Sequence, residues 1–131
     1  MSENDIKPLV IVGAGPSALA AAVYTCREDI DTLLLEKGVI GGLAAITDKV
    51  DNYPGFADGI EGLKLAEQLQ AQAERFGAKI DFGEVQNIED KGDYKLIKTD
   101  TGELKAKAVL IATGSDYKKI GIPGEAEFFG R

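Results

Sequence analysis

Histidine and tryptophan are absent from this chain, and cysteine and methionine occur once each, as Cys26 and Met1. Without an imidazole there is no histidine base and no Ser-His or Cys-His nucleophile. With a single thiol there is no internal disulfide and no nitrogen-and-sulfur metal cage. Any redox chemistry therefore has to be carried by a bound cofactor. Long apolar runs are also missing: none approaches the ~20 residues of a membrane span. The opening "MSENDIK" lacks the basic and apolar regions of a signal peptide, so the expected location is cytoplasmic, with no membrane partner. Positive charge is in deficit, 15 Lys and Arg against 22 Asp and Glu for a net charge of −7. That balance disfavours nucleic acid, whose affinity for proteins rests on Lys and Arg at the phosphates. What remains is ordinary for a folded soluble chain: 131 residues, 44% hydrophobic and 28% charged, enough for one domain with a single core.

The pattern of apolar residues changes period early. Leu9 to Val12 is a continuous apolar run, glycines follow, and an Ala-rich segment from Ser17 to Arg27 has high helix propensity. A second short apolar run, "DTLLLE", spans Asp31 to Glu36 and predicts a parallel strand covered on both faces. Together they form a βαβ unit of about thirty residues. Lys37 to Gly59 is rich in turn formers and predicts no regular element, a length of loop that is usually functional. A helix is expected from Asp58, capped by Asp58 with Glu61 reaching back. Leu63, Ala66, Leu69, Ala73 and Phe76 fall on its inner face and Gly77 ends it. "AKIDF", Ala78 to Phe82, predicts a third short strand. Segments near Glu84–Glu89, Tyr94–Thr99 and Glu103–Lys107, separated by "DKGD" and "DTG", predict an antiparallel meander. "AVLIATG", Ala108 to Gly114, predicts a return to the parallel sheet ending in a glycine turn.

Gly13, Gly15 and Ala18 form G-x-G-x-x-A between the first strand and helix, with Glu36 at the end of the second strand. Gly13 permits the tight turn, Gly15 leaves room for a pyrophosphate, and Ala18 lets helix and strand pack closely. The helix start offers free N–H groups and the positive end of its dipole. A carboxylate at Glu36 can accept hydrogen bonds from ribose hydroxyls but repels a 2′-phosphate, which favours FAD or NAD over NADP. Cys26, eight residues after Ala18, reads as a small core residue rather than a redox thiol. The charged residues of "IEDKGDYKLIKTD" read as solvated meander faces.

The stretches "IVGAGPSALAAAVY", "LLLEKGVIGG", "VDNYPGF", "QAERFGA", "AVLIATGS" and "IGIPGEAEFFGR" together resemble the thioredoxin reductase family of flavoproteins, across nearly the whole chain. The resemblance implies an α/β, Rossmann-like FAD-binding domain: a parallel sheet with an antiparallel β-meander. It implies that Gly13, Gly15, Pro16, Ser17 and Ala18 cradle the FAD pyrophosphate and that Glu36 with Lys37 meet the AMP ribose. Gly41, Gly42 and Thr47 would line the path to the flavin, and Asn52 would contact its ring. Val85 would meet the adenine through its backbone, and Ala112, Thr113 and Gly114 would close over the adenosine. Two positions depart from the family pattern: Ser17-Ala18 replaces Ala-Gly, and Leu43 replaces a Gln. A leucine cannot hydrogen-bond a ribityl chain or ring edge, so a polar contact is lost there.

In the resembling family a second domain binds NADPH and carries a Cys-x-x-Cys pair, and a last strand then returns to the FAD domain. Neither is present in this sequence. Residues 1–131 are therefore expected to be an incomplete, truncated FAD-binding domain lacking that last strand and not turning over alone. Loss of the strand predicts an exposed sheet edge beside Val109 to Ala112, covered by a homodimer partner or a complementing chain. Other readings are a stand-alone nucleotide-binding or assembly module without catalysis and part of a ferredoxin-NADP reductase-like flavoprotein. A third reading, an NAD-dependent dehydrogenase, is weakened because no His, Lys or Tyr constellation for hydride transfer is evident and "NYPGF" is unexplained by it.

Overall fold

The computed structural model describes residues 5–115, 122–124 and 127. Most of the stretch expected to form a connector, from residue 121 onward, lies outside them. The elements run β1 (Ile6–Val12), α1 (Pro16–Arg27), β2 (Thr32–Glu36), a 3-10 turn (Gly42–Ile46), β3 (Lys49–Val50), β4 (Ile60–Glu61), α2 (Gly62–Arg75), β5 (Lys79–Phe82), β6 (Val85–Asp90), β7 (Lys95–Thr99) and β8 (Gly102–Ile111). Six strands make one sheet in the order β5-β2-β1-β8-β7-β6. β5, β2, β1 and β8 run parallel, and β8, β7 and β6 form the expected antiparallel meander.

The apolar runs of β1 and β2 are explained by cover on both faces. Ile11 and Leu34 point to the helices, where they join Ala18, Leu19, Ala22, Leu65, Leu69 and Ala73. Their neighbours Val10, Leu33 and Leu35 point the other way, against Ile97 and Ala106 of the meander. Successive strand residues face opposite sides, so an uninterrupted apolar run needs two separate coverings. Cys26 is buried in the helix-side core, as expected.

Helix α1 begins with Pro16 at its first turn, after Gly15, and has no side-chain cap. It ends in a tight turn in which the Asp29 N–H donates to the Cys26 carbonyl and the Ile30 N–H to the Thr25 carbonyl, each at 3.0 Å. Asp29 adopts φ +60°, the left-handed conformation usually left to glycine. Thr32, fully buried at the start of β2, is satisfied by the Ile30 carbonyl and the Thr25 hydroxyl, each at 2.8 Å.

Four expectations are corrected. The stretch from Lys37 to Gly59 does hold regular structure, the 3-10 turn Gly42–Ile46 and β3, because Lys49 and Val50 find partners in Ile60 and Glu61. Helix α2 starts at Gly62, with Glu61 before it and no side-chain cap, because Ile60 and Glu61 pair with Lys49 and Val50 in a two-stranded ladder instead of forming its first turn. Leu63 is 56% exposed and Leu65 takes the inner position, 1% exposed, so the buried face is Leu65, Ala66, Leu69 and Ala73. The later start shifts which residues lie over the sheet. Finally, Glu103–Lys107 and Ala108–Ile111 are one continuous strand, β8. Its change of polarity reflects a change of neighbour and not a turn: residues Gly102 to Ala106 pair with β7, while β1 runs along the other side as far as Ile111.

Candidate functional site

The C-terminal ends of β1, β2 and β8 lie side by side, and each delivers a turn to the same place. At Gly13 the backbone adopts φ +112°, and a Cβ there would overlap the Ala112 carbonyl oxygen. The Gly13 N–H donates to the Leu35 carbonyl at 2.8 Å and the Ala112 N–H to the Val12 carbonyl at 2.9 Å. The glycine turn after β1 is thus wedged between the ends of β2 and β8, a closeness that only a residue without a side chain permits.

A cavity of about 130 Å³ opens at this junction, lined by Gly13, Glu36, Lys37, Val85 and Thr113 together with Val12, Leu35, Gly83 and Glu84. Five residues expected from the sequence, drawn from four separate stretches of chain, meet here. Glu36 is held in place by two backbone donors: Oε1 accepts from the Ala14 N–H at 2.9 Å and Oε2 from the Gly38 N–H at 2.7 Å. A carboxylate has about four acceptor directions, so capacity remains on each oxygen for an incoming hydroxyl.

The other expected residues sit around this cavity without lining it. Gly15 precedes α1, and a Cβ on it would meet nothing within 4 Å, which leaves open space over the helix start. Pro16 and Ser17 form the first turn of α1, and Ala18 is fully buried beneath it. Gly42 approaches the same open space, the Cα of Gly15 lying 3.5 Å from the position of its absent Cβ. Gly41 has a packing role: its N–H donates to the Ala14 carbonyl at 2.7 Å, and a side chain there would strike Ala66 of α2. Gly114 continues the turn after β8 at φ +71°.

Thr47 and Asn52 lie apart from the cavity. Thr47 lines a shallow hollow with Ile46, Asp48 and Leu63, and its hydroxyl donates to the Leu43 carbonyl at 2.7 Å. Asn52 is exposed on the loop that carries Tyr53 and Phe56, whose rings pack at a centroid distance of 6.3 Å. Leu43 is 38% exposed. Gly83 and Glu84 were not anticipated: the signal for Gly83 is its place directly after the apolar strand "KIDF". Among the described residues no group of His, Cys, Asp and Glu could hold a metal ion, and no helix is long and apolar enough to cross a membrane.

The chain is similar to known proteins in both sequence and fold. Residues 7–131 match the family model described as pyridine nucleotide-disulphide oxidoreductase. Thioredoxin reductase of Bacillus subtilis is 46% identical over 131 residues, which is 100% of this chain and 41% of that protein. Thioredoxin reductase of Listeria monocytogenes is 42% identical over 130 residues, 99% of this chain and 40% of that protein. The crystal structure of Lactococcus lactis thioredoxin reductase in its FR conformation superposes with a TM-score of 0.86 at 43% identity, covering 93% of this chain and 40% of that one. That of Streptococcus pyogenes superposes with a TM-score of 0.85 at 38% identity, covering 94% and 40%. The chain therefore spans about two fifths of the length of these relatives. With a Rossmann-like fold, the glycine turns at the strand ends and a family match over nearly all its residues, this chain belongs to the pyridine nucleotide-disulphide oxidoreductase family and corresponds to the N-terminal portion of a thioredoxin reductase.

Proposed function

We propose that this chain is the FAD-binding portion of a thioredoxin reductase-like flavoprotein and that it holds the adenosine diphosphate end of the cofactor. The observation that carries this reading is the convergence of Gly13, Glu36, Val85 and Thr113 on one cavity at the C-terminal ends of parallel strands, the usual place for a ligand in an open α/β sheet. The residues fit the group. Glu36 retains acceptor capacity for the ribose hydroxyls, and the free space over Gly15 accommodates a pyrophosphate against the N-terminus of α1. Lys37 adds a cation at the rim.

When bound, FAD would supply the two-electron chemistry that these side chains lack. The protein's part would be to bind and orient: Glu36 would hold the sugar, and the N–H groups at the start of α1 would hold the phosphates. On the flavin side, Thr47 and Asn52 would offer a hydroxyl and an amide, whereas Leu43 carries no polar atom to reach the ring. Reduction of a disulfide by NADPH needs a nicotinamide site and a dithiol, and this sequence has one cysteine. Turnover accordingly depends on residues outside this chain.

The assembly reading draws on β8. Beyond Ala106, among the described residues, it pairs with β1 alone, with Leu110 39% and Ile111 68% exposed. An unpaired apolar flank in mid-sheet is a template for another strand, from a second copy or a complementing chain, and the mass in solution distinguishes them. For the cofactor, the decisive measurement is the absorbance spectrum of the purified protein together with ADP titration. A flavin spectrum or saturable ADP binding is expected, and Glu36→Ala should weaken ADP binding on the order of 1–3 kcal/mol through lost charge-assisted hydrogen bonds. A colourless protein indifferent to ADP, or a Glu36→Ala variant that binds as tightly as the parent, overturns the assignment.

A further inference from the structure

The far wall of the cavity is the two-residue crossing from β5 to β6, Gly83-Glu84, with Val85, the first residue of β6. Three hydrogen bonds fasten it. The Gly83 N–H donates to the Glu36 carbonyl at 2.9 Å, tying the crossing to the end of β2. The other two involve a single residue on the opposite side, Asp100, in the turn between β7 and β8. Its Oδ1 accepts from the Glu84 N–H at 2.9 Å, and its own N–H donates to the Glu84 carbonyl at 3.1 Å. The turn that carries Asp100 is itself stiffened: the Thr99 hydroxyl accepts from the Thr101 N–H at 3.2 Å and donates to the Gly102 carbonyl at 2.9 Å.

Ladder pairing reaches this wall at one residue: Val85 pairs with Thr99 of β7, and the register shifts directly after it, between Val85 and Asn87, so Glu84 lies outside the β6–β7 pairing. Between Glu36 on one side and the irregular ladder on the other, the Asp100 carboxylate is the side chain that sets the position of Glu84 and, through it, the Val85 backbone facing the cavity. A loop left unfastened must be ordered when a ligand arrives, at about 1–2 kcal/mol for each backbone residue fixed.

We infer that Asp100 is a positioning residue for nucleotide binding: it touches no ligand, and it holds the Gly83–Val85 wall at the spacing from Glu36 that the adenosine moiety requires. This rests on the nucleotide reading above and extends it, since the residue acts from the meander and not from the glycine-turn region. The charged stretch in which Asp100 falls had appeared to be only a solvated face, and the pinning of Glu84 gives one of its acids a specific task.

The test uses the intact chain with ADP as the probe. The parent, Asp100→Ala and Asp100→Asn are titrated with ADP, and amide hydrogen exchange at Glu84, Val85 and Ile97 is followed without nucleotide. Asp100→Ala should weaken ADP binding roughly tenfold, the equivalent of about 1.4 kcal/mol of ordering. It should also speed exchange at Glu84 and Val85 while Ile97, in the middle of β7, stays protected. Asp100→Asn keeps an oxygen for the Glu84 N–H and should recover most of the affinity. Unchanged ADP affinity in Asp100→Ala overturns the inference and leaves the nucleotide reading standing, whereas a parent chain that does not bind ADP overturns both. Exchange at Ile97 accelerated as much as at Glu84 assigns Asp100 to folding of the meander and also overturns it. So does an Asn variant no better than Ala.

Discussion

On one side of the sheet, α1 and α2 bury Leu19, Ala22, Leu65, Leu69 and Ala73 against Ile11 and Leu34. On the other, the meander lays little more than Ile97 and Ala106 over Val10, Leu33 and Leu35, with Val85, Ile88, Leu104 and Val109 partly exposed around them. The shortest ion pairs among the described residues lie in the meander, those elsewhere being 3.4 Å or longer. Glu89 lies 2.9 Å from both Lys91 and Lys98, and Asp90 lies 2.8 Å from Lys95, all on β6, β7 and the turn joining them. The helix side is held by apolar area, which neither salt nor acid weakens directly. The meander adds surface charge to a thin apolar cover, and surface pairs contribute little and are screened. The cavity lies where the two constructions meet, with Glu36 from one and Val85 from the other.

Truncation of the two cores should break that comparison most sharply if it is wrong. Leu34→Ala removes a fully buried side chain of the helix-side core and is expected to destabilise near the top of the range of about 2–5 kcal/mol. Ile97→Ala should fall near the bottom of that range, because a thin cover can collapse into the space left. Denaturant titration reads both, and equal losses would erase the distinction between the faces.

The seam itself is tested next. Gly13→Ala forces a side chain into the Ala112 carbonyl at φ +112°, and should destabilise by about 1–3 kcal/mol and remove ADP binding. Retained ADP affinity in that variant would falsify the close approach of the two turns. A smaller change of opposite sign belongs to the helix side: Asp29→Gly relieves a left-handed conformation at φ +60° and should stabilise by up to about 1 kcal/mol in thermal melts.

The smallest effect is the pH response of the meander. Hydrogen bonds and charge from Lys91 and Lys98 hold the Glu89 carboxyl down from its ordinary 4.5 to about 2. A carboxylate depressed in the folded state stabilises it above its ordinary value and loses that contribution as the pH falls through the folded value. Melting temperature should therefore decline slightly more between pH 5 and about pH 2 in the parent than in Glu89→Gln. Parallel curves for the two proteins remove Glu89 from the account of the meander.

Much of the fold was legible in the sequence because the signals were local. The apolar runs of β1, β2 and β5, the glycines at 13 and 77 and the Ala-rich α1 each declare a backbone preference within a few residues. What failed to show was decided by distant partners. Ile60 and Glu61 look like a helix start until Lys49 and Val50 come alongside. The unity of β8 is hidden because its neighbour changes partway along. Within the site, Gly13 and Glu36 could be named from their turn and strand end, and Lys37, Val85 and Thr113 from the family resemblance. Gly83, Glu84 and Asp100 could not, since their roles are backbone hydrogen bonds between segments with no common pattern.

By itself, the order of residues determined the βαβ unit, the glycine turn with its carboxylate and the exclusion of histidine and dithiol chemistry, all of which depend on residue type at short spacing. Tertiary structure alone decided that four separate stretches share one cavity, that two backbone N–H groups orient the Glu36 carboxylate, and that an aspartate on the meander fastens the opposite wall. The physical reason is reach: hydrogen bonds and packing act over a few ångströms, and only folding brings Ala14, Glu84 and Asp100 within that distance of their partners.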